Sequence, residues 1–440
     1  MKTIDFSKIK NFVIDNLVVI IFVSFTVLGF ILSGGAPILF FLNELIDRVF
    51  RNFFLVLSLI IPIVAGLGLN FGIVIGAMVG QGAIIFTRYQ YEAAIINGTS
   101  PAAWSGITGL IISFLLAFPF AVFCGWLTGK LFNRVRGQEM IASLIVGYFA
   151  TGIFLFIMLF AIGIIIPVTP GHPMIKFDNI GIRVSVDLGF LDEGGMKFAL
   201  DNIARVPVMH LILAGSLIAL GILIFKRVWN KKKNIPITAN PWWFRINVTL
   251  CAIGIIFSLF SIITNNILMV LRGVPLVTGL VMLALCLFLH FLMKTKLGQD
   301  FRSVGQNQHI AEVSGINVDR TRIIATIYST VLAAWGMIIF LQNMGTIATY
   351  DAFRNIGLFS VATILVGGAS TSRAGIKNAV LGVILFNAMT IISPELGLAL
   401  FRDPGSGEYF RSFIVYGVIG LALGIHVWRQ NKTIKDLNKL

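Results

Sequence analysis

The sequence predicts an all-α fold, a polytopic transmembrane helical bundle of about 10–12 membrane segments that include two glycine-broken regions. Three observations carry that expectation. Apolar residues make up 57% of the 440 residues and charged residues only 12%, against about 25% charged in a soluble domain. Apolar runs near the 20 residues that a helix needs to cross a bilayer recur along the whole chain. The basic residues behind the net charge of +15 gather in short stretches between those runs, where they set orientation in a membrane.

The first run, 16–32, has no small-residue cleavage pattern after it and is expected to be a first spanning helix and signal anchor. Further runs cover 105–127, 140–166, 207–225, 246–263, 277–293, 323–340 and 412–428. The regions 53–87 and 356–392 are apolar but interrupted by glycine, so each is expected to supply two segments that meet at a break. Paired interruptions in the two halves of a chain point to a path at the interface of internal repeats. Three domains are expected: a tail, first helix and outer segment over 1–52, a transmembrane domain over 53–428, and a tail over 429–440.

Loop charge orients the bundle. Lys130, Arg134 and Arg136 fall in one loop. Loop 226–245 carries Lys226, Arg227, Lys231, Lys232, Lys233 and Arg245, and loop 294–322 carries Lys294, Lys296, Arg302, Arg320 and Arg322. These loops and both termini are expected in the cytoplasm, with 88–104, 167–205, 264–276 and 393–411 outside. The outer loop 167–205 holds the alternating run from Ile180 to Val186, expected to form a short strand pair or hairpin, together with Asp187, Asp192, Glu193 and Asp201.

Several activities are excluded or disfavoured. No basic stripe interleaves with exposed aromatics, so no nucleic acid is expected as a partner. Cys124, Cys251 and Cys286 are far apart inside apolar runs and read as small buried hydrophobes. His172, His210, His290, His309 and His426 have no partner at ligand spacing, so neither a metal nor any other cofactor is expected. The stretch Gly125-Trp-Leu-Thr-Gly-Lys130 mimics a phosphate loop. It has one residue too few between its glycines, and Leu131 follows the lysine where Ser or Thr would hold Mg²⁺. Carboxylates that would relay ions are scarce within the apolar runs, which argues against an ion-driven carrier.

Candidate path residues are the amides in and near the broken regions. Gly66, Gly68 and Gly72 are compatible with close helix packing or with a break that exposes backbone dipoles, where Asn70 and Gln81 would face a polar path. In the second half, Asn343 and Asn387 are the corresponding candidates, because an unpaired amide in hydrocarbon is costly. Arg373 and Lys377 read as headgroup anchors. Between two apolar runs lies a polar island, 294–317, with an amphipathic helix expected over Phe301 to Ile316 and with Ile310, Val313 and Ile316 toward one side. It reads either as a solvated helix lying on the membrane or as a helix that docks into a separate motor protein.

At this point the chain resembles a known family, the integral permease subunits of ABC importers for branched-chain amino acids, ribose-type sugars and nucleosides. Gly305-Gln-Asn307-Gln-His-Ile-Ala311-Glu-Val-Ser-Gly315-Ile316 resembles that family's cytoplasmic signature, with Ile310 where the first of two alanines is expected. Ala65 to Ala83 is similar to its glycine-rich segment, and Arg136 to Tyr148 to the loop and helix start of the simple-sugar and nucleoside branch, with Gly147 where that branch commonly has Asn. The resemblance covers about residues 50–425. It implies a bacterial inner-membrane permease with no catalytic residues of its own, moving a nucleoside, a riboflavin-like compound or a simple sugar. Gly305, Asn307, Ala311, Glu312, Gly315 and Ile316 would couple it to an ABC ATPase. A second permease subunit, an extracytoplasmic solute-binding protein and membrane lipid complete the implied partners. A self-contained secondary transporter or channel is the alternative.

Overall fold

In a computed structural model, the structure describes residues 17–32, 38–232, 241–264, 271, 273–370, 373–403, 405–413, 416, 417, 420 and 424. Both expected tails, most of the 412–428 run and Lys233 lie outside them.

The chain is a helical bundle. α1 (Leu17–Leu32) and α2 (Ile38–Leu57) lead into a single turn, α3 (Ile60–Val64). After a break come α4 (Ile73–Ile96), α5 (Gly106–Arg134) and α6 (Glu139–Phe156), whose end continues as a π turn over Ile157–Ala161. A long irregular segment leads to α7 (Val208–Lys232) and α8 (Pro241–Ile263). Then follow α9 (Leu276–Leu292), α10 (Lys296–Gln306), α11 (Gln308–Val313), α12 (Val318–Met344), α13 (Ala352–Val366) and α14 (Ile376–Phe401).

Six helices among the described residues are long and apolar enough to cross a membrane, and a seventh if α9 and α10, bent by 73° at their junction, count as one span. Among the described residues the other apolar helices do not pass as single spans, and most of the expected 412–428 run lies outside them. α1 and α13 are shorter than a full span. α2 carries Glu44, Asp47, Arg48 and Arg51, and α4 carries Arg88 and Glu92.

α12 is the axis of the bundle. It lies in a groove between α4 and α5, and glycines form the floor of that groove. A Cβ at Gly76 or Gly80 would come within 2.4 or 2.2 Å of the carbonyls of Thr330 and Ala334. One at Gly125 or Gly129 would come within 2.8 or 2.9 Å of the Cα atoms of Ile327 and Ile323. Both pairs are spaced four apart, the small-xxx-small pattern that lets membrane helices approach backbone to backbone. The false phosphate loop at 125–130 therefore has a packing role.

Two expectations are corrected here, and one is extended. The loop 226–245 is shorter than expected, because α7 runs on to Lys232 and α8 starts at Pro241; the exposed Arg227 stacks on Phe244 at 4.3 Å. The run 180–186 does pair locally, as expected: Ile182 bridges Ile175 antiparallel, with the N–H groups of Lys176 and Arg183 donating to the carbonyls of Gly181 and Met174, and its far end pairs a second time. β1 (Ser185–Asp187) pairs antiparallel with β4 (Thr346–Ala348), directly after α12, because the long segment folds down onto that end of the bundle. A second ribbon joins β2 (Arg205–Val206) to β3 (Val274–Pro275). Third, Arg322 is no loop cation: it is fully buried in the first turns of α12 and paired with Glu139 at 2.5 Å.

Candidate functional site

Two regions at opposite ends of α12 carry the polar chemistry. At its N-terminal end stand α10 and α11. The Thr295 hydroxyl caps α10 by accepting from the Gly298 N–H at 3.3 Å. Asn307 ends that helix and caps the next, its Oδ1 accepting from the Ile310 N–H at 3.1 Å. The expected single helix over 301–316 is therefore two, since an Asx cap favours a fresh helix start over continuation. Ala311 is buried with Val304 and Val318, and Ile316 packs on that cluster. Ile316 thus faces inward, whereas Ile310 and Val313 are 62% and 77% exposed, with Glu312 exposed between them. Gly315 closes α11 at φ 82°, a left-handed position that suits glycine.

Gly305 has a different role. A Cβ there would stand 2.1 Å from the Val64 carbonyl oxygen, and one at Gly66 would stand 2.7 Å from the Gly305 Cα. The two glycines bring α10 into backbone contact with the end of α3, where the chain leaves the helix. Beside this contact opens a cleft of about 390 Å³ lined by Val64, Arg302, Gly305, Gln306, Arg373 and Ala374.

Under the same end lies the buried Arg322–Glu139 pair. Arg322 Nη2 also donates to the Phe132 carbonyl at 3.1 Å, so one guanidinium ties α12 to the end of α5 and the start of α6. At the rim, Arg136 and Asp319 pair at 2.5 Å.

At the other end of α12 is a polar cavity of about 300 Å³ between α2, α12, α13 and α14. Arg48, Arg51 and Asn52 line it from α2, Phe340 and Met344 from α12, Phe359 and Thr363 from α13, Asn387 and Thr390 from α14, and Arg411 from the segment after it. Thr346 and Ala348 of β4 place it at the ribbon end. Phe340 follows Val318 by six helical turns, so cavity and α11 are separated by about 33 Å along one rigid helix.

The expected path residues divide. Asn387 lines the cavity and accepts from the Asn52 amide at 2.8 Å. Asn70 lies at the first break, where its Oδ1 accepts from the Gly72 N–H at 2.9 Å. Gln81 donates to the Thr349 carbonyl at 2.7 Å, and Asn343 donates to Asp201 at 2.6 Å; neither they nor Asn70 line the cavity. Asp201 itself is fully buried and also accepts from the Thr278 hydroxyl, so it is a strut between the long segment, α9 and α12 rather than a loop charge. Sequence reasoning missed Arg48, Arg51 and Arg411. A faint signal was present: four charges within eight residues on an otherwise apolar α2.

A family model described as the permease component of branched-chain amino acid transport systems matches residues 194–423, just over half of the chain. The chain belongs to that permease family. It is 30% identical over 179 residues to a xylose transport system permease of Haemophilus influenzae, covering 40% of this chain and 46% of that protein. It is 33% identical over 150 residues to a probable ABC transporter permease of Escherichia coli, covering 33% and 42% respectively. A nucleoside ABC transporter permease of Lactococcus lactis is 28% identical over 139 residues, covering 30% of this permease and 41% of that one. The chain thus spans less than half the length of these relatives. No solved structure matches it significantly.

Proposed function

We propose that this permease is the membrane-spanning subunit of an ATP-driven ABC importer in a bacterial inner membrane, with both termini and α10–α11 in the cytoplasm. The observation that carries the reading is the Gly305–Gly66 contact. It joins the exposed helix pair to a stretch of chain, 48–66, whose other end lines the polar cavity. A push on α11 therefore reaches the cavity by two routes, through α3 and α2 and through the rod of α12.

In this reading Ile310, Glu312 and Val313 form the surface met by an ABC ATPase, and Asn307, Ala311, Gly315 and Ile316 hold that surface in shape. Asn387 belongs to the transport path, while Asn70, Gln81 and Asn343 brace the helices around it. A solute-binding protein would deliver cargo at the ribbon end, and a second permease chain would complete the pathway. The names of the relatives favour a simple sugar or a nucleoside as the cargo class, ahead of a riboflavin-like compound.

The test is Val313→Asp. An exposed apolar side chain on a six-residue helix can change without disturbing the fold, so expression and membrane insertion stay at the wild-type level. ATPase retained on the purified complex and ATP-driven uptake both fall at least about tenfold, as expected when an interface hot spot is lost. Unchanged retention and uptake would refute the assignment of α11.

A further inference from the structure

The cavity at the ribbon end has an excess of charged donors. Among the described residues three guanidinium groups line it, from Arg48, Arg51 and Arg411, and no carboxylate does. The acids near them are not part of the lining: Glu44 meets Arg48 at 3.1 Å, Glu408 meets Arg411 at 2.5 Å, and Glu44 and Asp47 lie within electrostatic reach of Arg51. The Nε–H of Arg51 and that of Arg411 are buried without a hydrogen-bond partner. Arg51 Nη1 donates to the Met344 sulfur at 2.9 Å, and a thioether is a weak acceptor.

The aromatic walls hold these groups in place. The Arg51 guanidinium lies over the Phe340 ring at 5.4 Å, and that of Arg411 over the Phe359 ring at 5.1 Å. Stacking of this kind fixes the guanidinium plane and leaves its edge to donate. The other polar lining groups are different. The hydroxyl protons of Thr363 and Thr390 go to the carbonyls of Phe359 and Asn387, and the Asn387 amide donates to the Val383 carbonyl. The threonine oxygens therefore offer acceptors, Thr390 with one lone pair already taken by Arg48 Nη1 at 3.5 Å, and the arginines offer charged donors.

We propose that this cavity takes a small polyhydroxy solute that also carries an anionic group, a carboxylate or a phosphate. The anion accepts from Arg51 and Arg411, and the solute's hydroxyls donate toward Thr363 and Thr390. A neutral polyol would leave the buried Nε–H groups of Arg51 and Arg411 without a charged acceptor, and charge-assisted bonds to an anion are the stronger ones there. At about 300 Å³ the cavity is at the small end of the range for ligand sites, which suits one sugar-sized unit. The proposal rests on reading the chain as a transport subunit, and it shifts the cargo from a neutral sugar or nucleoside to an anionic sugar derivative.

The test uses the full chain with Cys124, Cys251 and Cys286 replaced by Ala, in zwitterionic nanodiscs. Met344→Cys and, separately, Ser360→Cys place a thiol in the cavity wall. An anionic and a cationic methanethiosulfonate reagent are compared, each rate normalised to a free thiol. The anionic reagent is expected to react at least about tenfold faster, the lower bound for electrostatic focusing in a charged cleft. Arg51→Gln with Arg411→Gln brings the ratio close to one. D-glucuronate and D-ribose 5-phosphate protect the thiol, whereas D-glucose and D-ribose do not.

A ratio near one at both positions, or equal protection by neutral and anionic sugars, overturns the proposal. So does protection by phosphatidylglycerol in the nanodisc that matches protection by the anionic sugars, because the occupant is then a lipid headgroup. Because ATP-driven uptake is measured apart from these rates, a ratio near one with such uptake intact overturns only the anionic cargo. Loss of ATP dependence with the ratio intact overturns the transport reading instead.

Discussion

Gly305→Ala adds one methyl group where α10 meets the end of α3. The new Cβ would sit 2.1 Å from the Val64 carbonyl oxygen and 3.0 Å from the Gly66 nitrogen. Both are backbone atoms, so no side chain can swing aside. The two segments must part by about 1 Å, enough to forfeit a quarter to a half of each local dispersion contact. Overpacking of this kind costs about 1–3 kcal/mol. Gly66→Ala attacks the same contact from the other side, and its φ of 75° adds about 1–2 kcal/mol of left-handed strain. Once one methyl has opened the contact, the second meets less resistance. The double variant should therefore be less destabilised than the two single effects imply, by about 0.5–3 kcal/mol. SDS-induced unfolding in mixed micelles, followed by far-UV circular dichroism, measures all four proteins. Gly305→Ala within about 0.5 kcal/mol of wild type, or strict additivity, would refute the contact.

The remaining predictions concern the buried ion pair and the segment over the ribbon end. Glu139→Gln leaves the Arg322 charge buried and uncompensated, at a cost of about 3–5 kcal/mol, and Glu139→Leu with Arg322→Met recovers most of it; the same unfolding assay reads both. His172 is buried and stacked on Tyr89 at 4.1 Å, and burial pushes its pKa below the ordinary value. Its Nδ1 accepts from the Met174 N–H at 3.2 Å, so the ring proton sits on Nε2 and points to the Tyr89 carbonyl at 3.0 Å. Protonation of Nδ1 breaks that arrangement. With the folded pKa depressed, the unfolded chain takes up the proton first as pH falls. The contribution is therefore complete above about 6.5 and is lost as pH drops from there through the folded value. Proteolytic nicking of segment 165–206 should rise over that interval, and His172→Phe should flatten the dependence.

The apolar helices were legible because lipid imposes length and composition on each of them separately. α5, α7, α8 and α12 announce themselves as runs. Burial inside the bundle leaves no such mark. Arg322 reads as one more loop cation until α5 and α6 close around it, and Asp201 reads as loop acid until Thr278 and Asn343 meet it. The break in α10–α11 was visible in principle, since Asn307 is a strong cap residue, but the amphipathic pattern over 301–316 hid it. The cavity was not legible. Its arginines come from α2 and from Arg411, far apart in the chain, and only their packing with α12, α13 and α14 gives them a common surface. The Gly66–Gly305 contact is likewise a property of two breaks meeting, whereas the signature around Gly305 marked the place without its contact.

In the proposed function, energy enters at α11 from a separate ATPase. Cargo uptake into proteoliposomes that hold the complete complex, with every ion gradient collapsed and ATP supplied on the α10–α11 side, tests it most directly. Uptake is expected to proceed, to stop when ATP is replaced by a non-hydrolysable analogue, and to fail with Val313→Asp. Uptake driven by an ion gradient without ATP would contradict it.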